Sequence, residues 1–161
     1  MKKIILSAIM LIGLAFSTKA QDISNNALGL RLGNNSGFGV EVSYQKELSK
    51  NNRLELDLGW RNSNDVDAIK LAGLYQWIWN IDGDFNWFAG AGGGLGSYSS
   101  KINGIPKSGV FLFIAGDIGI EYEFREIPLL ISLDLRPEIG GSNYYTNNFG
   151  SDMALGLRYK F

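Results

Sequence analysis

Asp152-Met-Ala-Leu-Gly-Leu-Arg-Tyr-Lys-Phe161 is the stretch that decides the fold. Met153, Leu155, Leu157, Tyr159 and Phe161 alternate with Asp152, Ala154, Gly156, Arg158 and Lys160. A strict period of two puts each set on its own face of a β-strand, so this segment separates two environments across one sheet.

The same alternation recurs upstream in seven more segments. The first is Ala27–Gly33, with Leu28, Leu30 and Leu32 on one face and Gly29 and Arg31 on the other. Phe38–Gln45 sets Phe38, Val40, Val42 and Tyr44 against Glu41, Ser43 and Gln45. Arg53–Arg61 sets Leu54, Leu56, Leu58 and Trp60 against Arg53, Glu55, Asp57, Gly59 and Arg61. Ala68–Trp79 follows with Ile69, Leu71, Tyr75, Trp77 and Trp79 opposite Lys70, Ala72 and Gln76; Leu74 and Ile78 break its pattern. Phe85–Tyr98 is glycine-rich, with Gly90, Gly92, Gly94 and Gly96 on one face. Val110–Phe124 sets Leu112, Ile114, Ile118, Ile120, Tyr122 and Phe124 against Asp117, Gly119, Glu121 and Glu123. Leu129–Glu138 sets Leu129, Ile131, Leu133 and Leu135 against Ser132, Asp134, Arg136 and Glu138.

Alternating segments of about ten residues divided by turn residues are the signature of a transmembrane β-barrel. The expected fold is all-β: an eight-stranded antiparallel up-and-down barrel. Ser49–Asn52, Asn80–Asp84 and Arg125–Pro128 read as short turns, and Asn62–Asp67, Ser99–Gly109 and Ile139–Ser151 as longer loops. Of the connections on the longer-loop side, only Asn34–Gly37 is short. Pro137 is the local misfit, excused at a rim or by a bulge.

Lys2 and Lys3 precede an apolar run, Ile4–Phe16, that ends at Ser17-Thr-Lys-Ala20. This predicts an export signal over residues 1–20, cleaved to leave a barrel domain over 21–161. The apolar run falls short of the ~20 residues a membrane helix needs. Of 15 basic residues three lie in the signal, leaving 12 against 16 acidic, so the mature charge is −4 and nucleic acid is not an expected partner.

Alternation alone does not say which face points inward. A soluble lipocalin-like periplasmic ligand binder shows the same pattern with apolar residues inside. Three features favour apolar-out. Tyr44, Trp77, Trp79, Phe85, Trp87, Tyr122, Phe124, Tyr159 and Phe161 gather at one end of the strands, with Phe38, Trp60 and Phe111 at the other, as in an aromatic girdle. The polar face carries Arg31, Arg53, Arg61, Lys70, Arg136, Arg158 and Lys160 together with Glu41, Glu55, Asp57, Asp117, Glu121, Glu123, Asp134 and Glu138. Finally, the chain ends on Phe161 with no polar tail. Eight strands leave an interior only wide enough for side chains, so these charges are expected to pair into a closed plug.

There is no histidine and no cysteine. Ser-His-Asp chemistry, His- or Cys-ligated metals, disulfides and lipoprotein processing are therefore excluded, and neither cofactor nor metal is expected. Glu121, Glu123, Asp117 and Asp134 could form an acid/base pair, but salt-bridge partnership with Arg31, Arg136 and Arg158 is the favoured role. The run Ala89–Gly96 opens no helix, so it lacks what a phosphate loop needs; a glycine wall that admits bulky neighbours is favoured. Residues 99–109, with Tyr98 just before them, and 139–151 carry Lys101, Ile102, Ile105, Tyr144, Tyr145 and Phe149, a composition that suits an extracellular ligand.

With Phe88–Leu95, Gly119–Phe124, Leu133–Pro137 and Leu155–Phe161, the chain resembles small outer-membrane β-barrel proteins of the OmpA/OmpX type, a porin-like family. The resemblance implies an integral protein of the bacterial outer membrane, in contact with its lipid. It implies that Leu157, Tyr159 and Phe161 form the C-terminal signal read by the barrel-assembly machinery. It also implies a structural or surface-interaction role without catalysis, the alternative being a narrow porin-like channel or carrier for small solutes. Barrel enzymes of similar architecture rely on a histidine that this chain lacks.

Overall fold

The computed structural model describes residues 26–35, 38–63, 66–102, 105–140 and 149–161. The expected signal and most of the 139–151 connection lie outside them. Eight strands follow in order: β1 (Asn26–Asn35), β2 (Phe38–Ser49), β3 (Asn52–Ser63), β4 (Val66–Asp82), β5 (Phe85–Ile102), β6 (Ile105–Glu123), β7 (Leu129–Gly140) and β8 (Phe149–Lys160). Each pairs antiparallel with the next, and β1 pairs with β8, so the sheet closes into an eight-stranded barrel. Closure leaves no edge strand at the β1–β8 seam, which runs from Ala27↔Lys160 to Gly33↔Ala154.

The short turns lie on the rim that carries the chain ends. Gly83, at φ +55°, supplies the left-handed position of the β4–β5 turn. Asn80 closes that turn by donating from Nδ2 to Gly83 O at 3.0 Å and Phe85 O at 3.2 Å. Arg125 on the β6–β7 turn donates to Asp84 on the β4–β5 turn. That bond, aided by the carboxylate charge, holds the guanidinium pKa above its ordinary value.

Four expectations are corrected here. The stretch 99–109 is not a loop: β5 and β6 stay paired from Tyr98↔Gly109 to Ile102↔Ile105. The last β6–β7 pair is Phe113↔Gly140, so the β5–β6 hairpin continues past the end of β7. Its serines and lysines end the apolar alternation without ending the ladder. Residues 62–67 likewise continue β3 and β4 to Ser63↔Val66. Phe111 belongs to the lumen rather than to an aromatic ring on the outside. Pro137 is neither at a rim nor in a bulge: the β6–β7 pairs Ala115↔Glu138 and Ile118↔Leu135 keep one register around it. A Cβ on the facing Gly116 would lie 3.3 Å from Pro137 Cγ, so the glycine gives the ring its space.

The two faces differ sharply. Large aliphatics point outward all round the barrel, from Leu30 (45% exposed) on β1 to Leu155 (49%) on β8, and up to 72% at Val110 on β6. Arg31, Glu41, Asp57, Arg136 and Asp152 are wholly inaccessible. The barrel therefore has its polar groups inside.

Candidate functional site

The lumen is the candidate site. Arg31, projecting from β1, is its most heavily bonded group. Its Nε donates to Asp134 at 2.9 Å, Nη2 to the same carboxylate at 2.5 Å, and Nη1 to Asp152 at 2.6 Å and Glu41 at 3.0 Å. One guanidinium thus ties β1 to β2, β7 and β8. A Cβ on Gly33 would lie 2.6 Å from Asp152 Oδ2, so that glycine makes room for the carboxylate.

Glu41 passes the network on. Lys70 Nζ lies 3.2 Å from it and 2.8 Å from Glu138, and Arg136 Nη1 lies 3.5 Å from it. Arg136 crosses to β3 with Nη2 2.8 Å from both Glu55 and Asp57. Arg158 reaches Glu55 at 3.2 Å and donates to Ser43 at 2.9 Å and Ser132 at 2.7 Å. Gln45 donates to Glu55 at 2.5 Å. Nearer the chain ends, Arg53 donates to Gln76 at 2.5 Å and Glu121 at 2.6 Å, Gln76 to Asp117, and Lys160 to Glu123. Buried charges are tolerated when paired and hydrogen-bonded, and most of this lumen meets that condition through shared carboxylates; Arg136 Nε and Asp117 Oδ1 are among the buried atoms left without a hydrogen-bond partner.

Part of the opposite wall, on β4–β6, is apolar, between Lys70 and Gln76 on β4 and short of Asp117 on β6. Ala72, Leu74, Phe111, Phe113 and Ala115 pack together with Tyr98 against them. Leu74 broke the alternation of its segment because this wall is its environment. The glycines of β5 make the packing fit: a Cβ on Gly94 would lie 2.8 Å from Phe113 Cε1, and one on Gly96 2.7 Å from Phe111 Cε1. The two walls meet where Lys70 Nζ sits 5.5 Å from the centre of the Phe113 ring. At the other end Arg53 lies 4.8 Å above Phe88.

The structure thus brings Arg31, Glu41, Arg53, Glu55, Asp57, Lys70, Asp117, Glu121, Asp134, Arg136, Glu138 and Arg158 into the lumen, with Glu123 at its rim. The Arg61 side chain lies outside the described residues. Asp152, Gln45, Gln76, Ser43 and Ser132 join them without having been singled out as site residues; the strand parity that found their neighbours would have found them. Tyr44, Trp77, Trp79, Phe85, Trp87, Tyr122, Phe124, Tyr159 and Phe161 lie toward the chain-end rim, and Trp60 toward the other. Trp79 and Trp87 stack at 4.3 Å, and Tyr122 meets Phe124 edge-on at 4.8 Å. Among the described residues no group of acidic side chains could hold a metal ion. Glu121, Glu123, Asp117 and Asp134 are each engaged by Arg53, Lys160, Gln76 or Arg31.

A closed antiparallel eight-stranded barrel with a polar, filled lumen is the architecture of small outer-membrane barrels. Among solved structures, the chain is similar to the N-terminal β-barrel domain of Pseudomonas aeruginosa OprF. Identity is 13% and the TM-score 0.68, over 86% of this chain and 98% of that one. Neisserial surface protein A is similar at 15% identity and TM-score 0.64, over 84% and 94%. Ail, the attachment invasion locus protein of Yersinia pestis, is similar at 14% and 0.55, over 86% and 97%. Neither a family model nor a curated protein matches the sequence.

Proposed function

We propose that the chain is an integral protein of the bacterial outer membrane, with an ion-paired, closed lumen and a non-catalytic role in envelope structure or surface interaction. One observation carries this: aliphatic side chains exposed all round the barrel enclose charges that are almost wholly buried. An exposed apolar surface of that extent is stable only against lipid, and only closed barrels span lipid as sheets. The solved barrels with the same fold include a Neisserial surface protein and an attachment invasion locus protein of Yersinia pestis, which supports a place at the cell surface.

The end that carries the β5–β6 hairpin faces outward from the cell in this reading, and residues 99–109 and 139–151 meet the extracellular partner. The β8 face Leu157, Tyr159 and Phe161 is the segment that the assembly machinery would engage.

Gel mobility tests the location. Outer-membrane fractions should contain a band that migrates faster unboiled than boiled; a soluble periplasmic protein without that shift defeats the reading. Planar-bilayer recording tests the lumen. No steady open-pore current is expected, and a large one would favour the narrow channel for small solutes.

A further inference from the structure

Two buried side-chain atoms without hydrogen-bond partners, Arg136 Nε and Asp117 Oδ1, belong to residues that flank a gap in the β6–β7 ladder. Phe124 N donates to Leu129 O at 3.0 Å, and Lys160 N donates to Pro128 O at 2.9 Å. Odd-numbered residues of β7 therefore turn their backbone toward β6, and even-numbered ones toward β8. Pro137 is odd, and in the shared register it faces Gly116. Having no N–H, it leaves the Gly116 carbonyl without its ladder donor. The ladder lapses there, at Gly116/Pro137 and Asp117/Arg136.

The two residues beside the lapse are directly opposed, and both point into the lumen. Arg136 is wholly buried and its Nε has no hydrogen-bond partner; Asp117 is 4% exposed and its Oδ1 has none. No ion pair within 4 Å joins them. The other lumen arginines contrast with this: Nε of Arg31, Arg53 and Arg158 donates to Asp134, Gln76 and Ser43.

We infer that a single internal water is built into the β6–β7 wall, accepting from Arg136 Nε and donating to Asp117 Oδ1 and the Gly116 carbonyl. The stoichiometry selects the ligand: one donor and two acceptors are what one water completes. An anion would meet the Asp117 carboxylate and a cation the Arg136 guanidinium, so the occupant is neutral. A polar pair held beyond direct contact inside a protein calls for such a bridge. The plug is then hydrated at this point of its wall.

Water cross-relaxation to arginine Nε–H protons of the full chain in lipid nanodiscs tests this. Arg136 should show a bound-water cross peak several-fold stronger than those of Arg31, Arg53 and Arg158. Pro137→Val, which returns an N–H to Gly116, and Asp117→Leu should each cut that peak by more than half. Equal peaks for all four arginines overturn the inference. Should the variants not fold, a crystal structure decides: a water within hydrogen-bond distance of all three atoms supports the site, and direct Arg136–Asp117 contact eliminates it.

Discussion

Replacing Arg31 by methionine is the sharpest test of the lumen. The substitution keeps a long unbranched side chain but removes donors to three carboxylates at 2.5–3.0 Å. Glu41 retains Lys70 and Arg136. Asp134 loses the one guanidinium with which it forms an ion pair. Removing one partner of a buried pair leaves an uncompensated charge, at about 3–5 kcal/mol. That is roughly a 10²- to 10⁴-fold change in the folding equilibrium. Urea unfolding in lipid vesicles, followed by tryptophan emission, measures it. The companion Arg31→Met/Asp134→Leu removes the stranded carboxylate and should recover more than half of the loss. A single-mutant cost below about 0.5 kcal/mol, the scale of a solvated pair, would refute the buried ion-paired lumen. So would a double mutant that merely adds the two single losses, because that outcome means packing and no charge coupling.

Further outcomes follow from the two faces. Leu133→Arg, on the outward face in the middle of β7, should destabilise the lipid-embedded barrel by about 2–4 kcal/mol in vesicle unfolding, whereas a water-facing site would tolerate it. Gly96→Ala puts a methyl against the Phe111 ring and the Ile69 carbonyl, and should cost about 1–3 kcal/mol; Phe111→Leu in the same chain should return part of this, since the ring is only one of the two obstacles. Trp60, Trp77 and Trp79 are 40–51% exposed and Trp87 37%, all on the outer face. Their emission in vesicles should be blue-shifted and quenched most by lipids brominated near the headgroups; quenching that peaks at the bilayer centre would displace the girdle.

Strand parity made most of the barrel legible. It needs only that one face differ from the other, and Leu30, Leu56 and Leu133 differ from Arg31, Glu55 and Asp134 at every step. Where both faces change character together, the signal fails. Beyond Tyr98 and Gly109 the strands carry Ser99, Ser100 and Ser108, which break the apolar alternation, yet their backbones still pair. The apolar lumen wall was hidden for another reason. Phe111 and Phe113 share the parity of Asp117, and their proper reading depends on Gly94 and Gly96 of the neighbouring strand, whose alignment with them only the ladder supplies. Pro137 misled because a proline suggests a bulge, while a single missing hydrogen bond opposite a glycine suffices.

The placement of Arg31 has a consequence for how the barrel is made. Its partners Asp134 and Asp152 lie 103 and 121 residues away along the chain, on the strands that close the sheet onto β1. Until β8 docks on β1, Arg31 has only Glu41 beside it, and an unclosed sheet would carry an exposed row of charges into the hydrocarbon. In the membrane setting proposed above, such a sheet would be expelled from the bilayer core by the same energetics that would hold the finished barrel in it. Insertion and circular closure would then have to finish together, and the lumen would serve as an internal proofreader against any barrel whose first and last strands have not met.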